Sequence, residues 1–304
     1  GEGVYEGREI MIDFKENIEK LYSKMDRCSI CPRKCGADRS SGQKGICETA
    51  DKIFVASSSV HAGEEPPISA TRGSGAIFFS NCTLNCVFCQ NYPISQLSNG
   101  KKVSLEDLVD MMLNLQNRGV HNINFVTPTH YSPQIAKSAY IARKKGLRVP
   151  ILYNCSGYED IETLKLLEGT VDIYLPDIKY SDDETAFKYS GVKNYVEVNR
   201  AALKEMKKQV GNLTVDDEGT AQKGVIVRHL VLPGNIENTK KALEFIAKEL
   251  SENTFVSLMA QYHTAHKSNN FKELSRSLTK EEYEEAVSYL ELLNLENGWV
   301  QSLQ

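Results

Sequence analysis

Apolar residues recur along this chain with two distinct periods. Over residues 12–26, Phe14, Ile18, Leu21, Tyr22 and Met25 fall at helical spacing, which predicts an amphipathic helix. From residue 75 onward the pattern becomes short apolar runs separated by longer amphipathic ones. The runs GAIFFS (75–80), NINFVTP (122–128), VPILYNC (149–155), VDIYLPDIKY (171–180), GVIVRHLVLP (224–233) and TFVSLMAQYH (254–263) read as six strands. The first two intervening helices run from the N-cap Ser104 to Gly119 and from Ser132-Pro133 to Gly146. Further helices are expected over 159–168, up to about Val210, over 237–250, and after the capping box Thr279/Glu282. Residues 52–74 read as irregular or edge-strand material, and 211–223 as a Gly/Asp-rich excursion.

Repeated strand–helix units imply a parallel sheet buried on both faces. The pattern alone admits an open Rossmann-type sheet. The five later strands, however, carry polar residues at or near their ends: VTPTH (126–130), YNCSGY (153–158), LPDIKY (175–180), Arg228-His229 before Pro233-Gly234, and QYH (261–263). Polar groups on apolar strands are costly unless paired or used, and their convergence favours a partial (β/α)6 TIM-like barrel with its site at the strands' C-terminal mouth. At 304 residues, the chain suits one such barrel (52–304, with a C-terminal helix) plus a small N-terminal unit (1–51).

The net charge is -4 and no dense basic run occurs, so nucleic-acid binding is not expected. KKVS (101–104) and RKK (143–145) read as solvated helix ends or loops. No apolar stretch approaches the ~20 residues of a membrane helix. Eight cysteines without an export signal suggest a reducing, anaerobic cytoplasm.

Cys82, Cys86 and Cys89 form a C-x3-C-x2-C triplet in SNCTLNCVFCQN, directly after the strand at 75–80. Disulfides fit an odd number of thiols poorly, and structural zinc prefers four ligands in separated pairs. Three thiolates on one loop would leave one iron of a four-iron cluster without a protein ligand. With Phe88 before the third cysteine, the triplet resembles the radical S-adenosylmethionine (SAM) superfamily, whose open iron chelates SAM. The N-terminal Cys28, Cys31, Cys35 and Cys47 form a second set, with a C-x2-C-P pair. Four thiols could close the shell of a structural zinc or hold a second iron–sulfur cluster, and spacing does not choose between them.

More narrowly, HAGEEPPIS (61–69), GAIFFSNCTLNCVFCQN (75–91), NINFVTPTHYSPQI (122–135), LYNCSGYE (152–159), VDIYLPDIKY (171–180), VRHLVLPGN (227–235) and LMAQYH (258–263) resemble PflX-like relatives of pyruvate formate-lyase activating enzyme. The resemblance runs from about residue 28 to 295. It implies that Asn91 hydrogen-bonds SAM, and that Asp177 and Lys179 meet its methionine carboxylate. It also implies that Arg228 and His263 contact SAM from the fifth and sixth strands. Asn154 stands where those enzymes carry an acid, and VTPTH replaces their Gly-Gly-Glu. The SAM ammonium is then expected at backbone carbonyls near Val126 and Pro128, or at the Thr127 hydroxyl.

Each of these residues also has a plainer reading. Asp177 and Lys179 lie on one face of a strand and could simply pair with each other. Arg228 and His229 face opposite ways, so only one reaches the mouth, and Arg228 is the choice. His130 is a candidate acid, Cys155 an inert buried thiol, and Glu64-Glu65 a solvated turn. The resemblance implies reductive cleavage of SAM to methionine and a 5′-deoxyadenosyl radical that abstracts hydrogen from an unidentified substrate, a peptide or protein among the options. A flavodoxin- or ferredoxin-type reductant is implied. A glycyl-radical activase and an iron–sulfur electron carrier are the competing functions.

Overall fold

The computed structural model describes residues 13–303. Helix α1 (Phe14–Ser23) begins where the Asp13 carboxylate accepts the backbone N–H groups of Lys15 and Glu16, satisfying donors that have no partner inside the helix. Its apolar face buries Leu21. Ile12 and the residues before it lie outside the described range.

Strand β1 (Ile53–His61) is followed by the short helix α2 (Pro66–Ser69) and strand β2 (Ser74–Phe79). Next come α3 (Tyr92–Ser95), β3 (Lys101–Val103), α4 (Leu105–Asn117), β4 (Ile123–Val126) and α5 (Ser132–Lys144). The chain continues through β5 (Ile151–Cys155), α6 (Ile161–Leu166), β6 (Ile173–Pro176), α7 (Asp183–Ser190) and α8 (Tyr195–Val210). It ends through β7 (Thr214–Val215), β8 (Ala221–Leu230), α9 (Ile236–Phe245), β9 (Phe255–Met259), α10 (Lys280–Leu292) and β10 (Gly298–Val300).

All six expected strands are present and neighbouring ones pair in parallel, in the order β9-β8-β6-β5-β4-β2. The sheet curls without closing, giving the partial barrel. Both capping boxes form: Ser104 with Asp107, and Thr279 with Glu282.

Three departures concern the sheet edges. Residues 53–61 form a nine-residue strand lying between β2 and β3 rather than at an edge. Lys101–Val103, expected as a loop or helix end, is the edge strand, pairing antiparallel with Ile53–Val55. Two exposed lysines mask it because an edge strand with no buried face needs no alternation. At the opposite edge, β10 adds a seventh parallel strand beside β9. A Cβ at Gly298 would collide with the Val256 backbone, so glycine permits this approach.

Two apolar layers position the site. Leu108, Met112, Phe125 and Ile135 pack between sheet and helices. Inside the barrel, Leu152, Ile173, Leu175 and Ile226 pack around Ile68 of α2, so this one-turn helix plugs the lumen from below. Asn122 fixes the plug by donating to the Ile68 carbonyl at 2.8 Å. The irregular N-terminal segment is tied to the barrel by polar contacts: Arg33 Nε to the Thr83 carbonyl (2.5 Å), Thr163 Oγ1 to the Ile30 carbonyl (2.8 Å), and Lys24 and Lys34 to Asp160 (3.4 and 3.3 Å). Among the described residues, no helix is long and apolar enough to cross a membrane.

Candidate active site

The thiol triplet sits on the loop leaving the C-terminal end of β2, as the strand pattern anticipated. Its backbone is fastened by Asn85 N–H to the Ser190 carbonyl (3.2 Å) and Val87 N–H to the Tyr189 carbonyl (2.8 Å). Ser190 Oγ donates to Cys86 Sγ at 2.9 Å, and Ser95 Oγ lies 3.1 Å from Cys89 Sγ. Burial pushes the Cys82 and Cys86 thiols up, so ligation there must displace protons. Nearby Lys179 works the other way. Three thiols on one loop, supplied with hydroxyl partners for sulfur, are a donor set suited to an iron–sulfur cluster.

Facing this loop is a chain of charges at the ends of three strands. Lys179 Nζ lies 2.6 Å from Asp177 Oδ2, Arg228 Nε 3.0 Å from Asp177 Oδ1, and Arg228 Nη2 2.6 Å from Asn154 Oδ1. Burial tends to raise the Asp177 carboxyl, but the Lys179 and Arg228 charges hold it below its usual range. The plain reading of Asp177 and Lys179 as partners is therefore true of the geometry, and Arg228 extends the pair into a network. Gly157 makes this possible: at φ +71 it lies where a Cβ would collide with the Asp177 carbonyl and Asn199.

The other expected SAM contacts are scattered around the mouth. Asn91 is exposed at the start of α3, its side chain making no capping bond. Thr127 follows β4 with φ +59, a conformation rare for a β-branched residue, and its N–H donates to the Asn154 carbonyl at 3.0 Å. His263 is exposed, four residues beyond the end of β9, and is not hydrogen-bonded into the charge chain.

Glu64 and Glu65 depart from expectation most. Rather than forming a solvated turn, they are buried above the α2 plug, and Glu64 Oε2 lies 3.8 Å from Arg228 Nη1. They help line a cavity of about 430 Å³ with His61, Asn91, Asn154 and Arg228. The Pro66-Pro67 pair marks a helix start in the sequence but does not say which way the two acids before it face.

His130 is no acid at the mouth. Its Nε2–H donates to the Ser80 carbonyl at 2.8 Å, and burial lowers its pKa to about 3, so it stays neutral. His229 turns outward as expected, between the Ile178 carbonyl (2.6 Å) and Thr239 Oγ1 (2.9 Å). Cys155 is a buried thiol pushed up by desolvation, in line with the inert reading. Sequence reading passed over Glu159, a buried carboxyl accepting from Thr129 Oγ1 at 2.7 Å and raised by burial to about 8.

Cys28, Cys31 and Cys47 are buried, and Cys35 is half-buried. Beside them lies Arg39, fully buried. Its guanidinium donates to the Ala50 carbonyl (2.9 and 3.1 Å) and the His130 carbonyl (2.8 Å), with Cys28 Sγ 3.9 Å away. Among the described residues it has no carboxylate partner. Also among the described residues, no three His, Cys, Asp or Glu side chains are grouped to hold one metal ion. Cys47 and Cys82 line a common cavity of about 500 Å³ between the N-terminal segment and the β2 loop.

Residues 76–246 match the family model of the radical SAM superfamily. The chain is 30% identical to Uncharacterized protein MJ0674 of Methanocaldococcus jannaschii, over 94% of this chain and 80% of that one. Its fold is similar to that of the FeFe-hydrogenase maturase HydG from Carboxydothermus hydrogenoformans, with 12% identity and a TM-score of 0.51 over 74% of this chain and 52% of that one. It is also similar to Streptococcus suis SuiB bound to S-adenosylmethionine, with 13% identity and a TM-score of 0.50 over 73% of this chain and 48% of that one. The chain belongs to the radical SAM superfamily, whose members use an iron–sulfur cluster to cleave SAM reductively.

Proposed function

We propose that Cys82, Cys86 and Cys89 hold a [4Fe-4S] cluster, and that Asn154, Asp177, Lys179 and Arg228 position SAM against it. The observation that carries this reading is the juxtaposition of a three-thiol loop with a buried charge chain at the same barrel mouth. When bound, the cluster supplies the electron that cleaves SAM to methionine and a 5′-deoxyadenosyl radical, which takes hydrogen from the substrate. Lys179 and Arg228 present positive charge for the SAM carboxylate, while Asp177 holds both side chains in place. Asn91, Thr127 and His263 complete the rim. The α2 plug and the apolar lumen exclude water from below, which protects a radical.

The expected result is 5′-deoxyadenosine when anaerobically reconstituted protein receives SAM and dithionite. None formed by protein with a spectroscopically intact cluster overturns the reading and favours an electron carrier. Against a carrier stands the lumen charge network, which electron transfer does not need. The narrower kinship with pyruvate formate-lyase activating enzyme rests on the sequence segments alone. Its test is glycyl-radical formation on a partner protein.

For the N-terminal thiols, a metal–thiolate centre is supported by Arg39. A fully buried guanidinium costs several kcal/mol unless an anion compensates it, and ligated thiolates are the anions at hand. Cys28→Ala with Cys31→Ala decides the metal: loss of zinc with iron unchanged means a structural zinc, and loss of iron means a second cluster. The shared cavity at Cys47 and Cys82 supports electron entry from a flavodoxin- or ferredoxin-type donor on this side.

A further inference from the structure

Glu64 and Glu65 have no task in the reading above. Both side chains are more than nine-tenths buried, and Glu65 Oε2 has no hydrogen-bond partner among the described residues. Their placement is built rather than accidental. Glu65 caps α2, its carbonyl accepting from Ile68 (2.8 Å) and Ser69 (3.1 Å), while Ser69 Oγ accepts the Glu64 N–H at 2.9 Å. The helix is in turn locked into the lumen core through Ile68.

The charges around the cavity do not balance. Asp177 is already satisfied by Lys179 and Arg228. Arg228 reaches Glu64 only at 3.8 Å, and His61 Nδ1 lies 3.3 Å from Glu64 Oε1. Glu65 lines the cavity and keeps one buried oxygen without a hydrogen bond among the described residues. Burial pushes the Glu64 carboxyl up, as expected of an acid short of positive partners. A buried amide lies beside the acids. Phe125 of β4 packs outward against the helices, so alternation turns Asn124 and Val126 toward the lumen. Asn124 is fully buried beside Glu64, whose carboxyl it helps to lower although neither amide atom makes a hydrogen bond of good geometry among the described residues, while Val126 lines the cavity. A buried carboxylate oxygen without a hydrogen bond is expensive to keep, and a ligand supplying positive N–H donors would satisfy it.

We infer that Glu64 and Glu65 form the acidic floor of a substrate pocket that receives a primary ammonium group, so the hydrogen donor is an amine. This rests on the SAM reading above, in which Lys179 and Arg228 serve the SAM carboxylate and leave the floor to a second molecule. The ammonium could belong to a small amine or to a lysyl side chain.

The experiment uses reconstituted, SAM-bound protein without reductant, after a first titration has measured SAM itself. Calorimetry then compares n-butylammonium with n-butanol, and Nα-acetyl-lysine amide with Nα-acetyl-norleucine amide. At least one ammonium probe is expected to bind tenfold or more tighter than its neutral counterpart, and the stronger preference identifies the source. Glu65→Gln should erase most of that preference, and Glu65→Asp, which keeps the charge, should retain part of it, with both variants checked for an unchanged melting profile and cluster spectrum. No preference in the unsubstituted protein overturns the inference alone. So does a preference that survives Glu65→Gln, or a loss of SAM affinity in Glu65→Gln as large as the loss for the ammonium probes, since the acids would then serve SAM. Failure of SAM to bind an intact cluster in the first titration removes both readings.

Discussion

Asp177→Asn should cost far more than one hydrogen bond. In the folded protein the carboxylate neutralises two cations at once, Lys179 at 2.6 Å and Arg228 at 3.0 Å. Their side chains are only 19% and 18% exposed, so water does not take over the role. Asparagine keeps the shape and can still accept a hydrogen bond, but it strands both charges. Breaking a buried pair by removing one partner costs about 3–5 kcal/mol; partial access to water and the distant Glu64 place this case near the lower end, about 3 kcal/mol. Urea unfolding at pH 7, followed by circular dichroism on cluster-loaded protein under argon, measures it. Adding Lys179→Met removes one stranded cation, so the double variant should lose about 1–3 kcal/mol less than the sum of the single losses. The pH dependence has a definite sign. The Asp177 pKa is depressed on folding, so its contribution is present at neutral pH and is lost as pH falls through its folded value, below the ordinary carboxylate range near 4. Variant and parent should therefore converge in acid. A loss below about 1 kcal/mol at pH 7, or a gap that stays constant down to pH 3, would refute the network as described.

Three further outcomes follow from other parts of the molecule. Glu159 is raised by burial to about 8, so its stabilising contribution is complete below its unfolded pKa near 4.3 and is lost as pH rises toward 8; Glu159→Gln should flatten the decline in melting temperature between about pH 5 and 8. Ser190→Ala removes the donor 2.9 Å from Cys86 Sγ, and should move the cluster potential to more negative values by on the order of 50 mV or less in a spectroelectrochemical titration. Arg39→Met should lower metal retention at the N-terminal thiols during dialysis against a chelator, with SAM-cluster iron unchanged.

The fold was legible because six of its parallel strands each carry a short run of apolar residues with turn chemistry at their ends. Six strands and both capping boxes followed from that. What escaped notice were pieces whose stability comes from a neighbour: Lys101–Val103 is polar and forms because β1 offers its backbone, and Gly298–Val300 is too short to show a period. The site divided along the same line. Asp177, Lys179 and Arg228 could be placed by strand position and alternation, but only the Asp177–Lys179 pair was anticipated, and the link from Asp177 to Arg228 was not. Glu64 and Glu65 could not, because two acids before two prolines look solvated until the path of the chain through the barrel is known. His130 misled for a related reason: its position after a strand suggested chemistry, whereas the 3-10 turn at Thr129–Tyr131 rotates the ring against the Ser80 carbonyl.

The lumen charges also bear on why such an arrangement persists. Replacing a buried ionic network by well-packed apolar residues is commonly neutral or stabilising by about 1–4 kcal/mol, so the network is not explained by folding. Arg228 lies in β8, Asp177 and Lys179 directly follow β6 with Asp177 bridged to Arg228, and Glu64 sits in the turn entering α2, and this fixes where a charged ligand must put its carboxylate before it arrives. Pre-set dipoles and charges cost reorganisation energy during folding instead of during the reaction. A variant that empties the lumen of charge, with Asp177, Lys179 and Arg228 replaced together by Leu, Met and Met, should therefore unfold at a similar or higher urea concentration than the parent while losing SAM binding. If that variant instead unfolds well below the parent in urea, the charges are a structural staple and the division of labour between plug, thiol loop and strand ends is wrong.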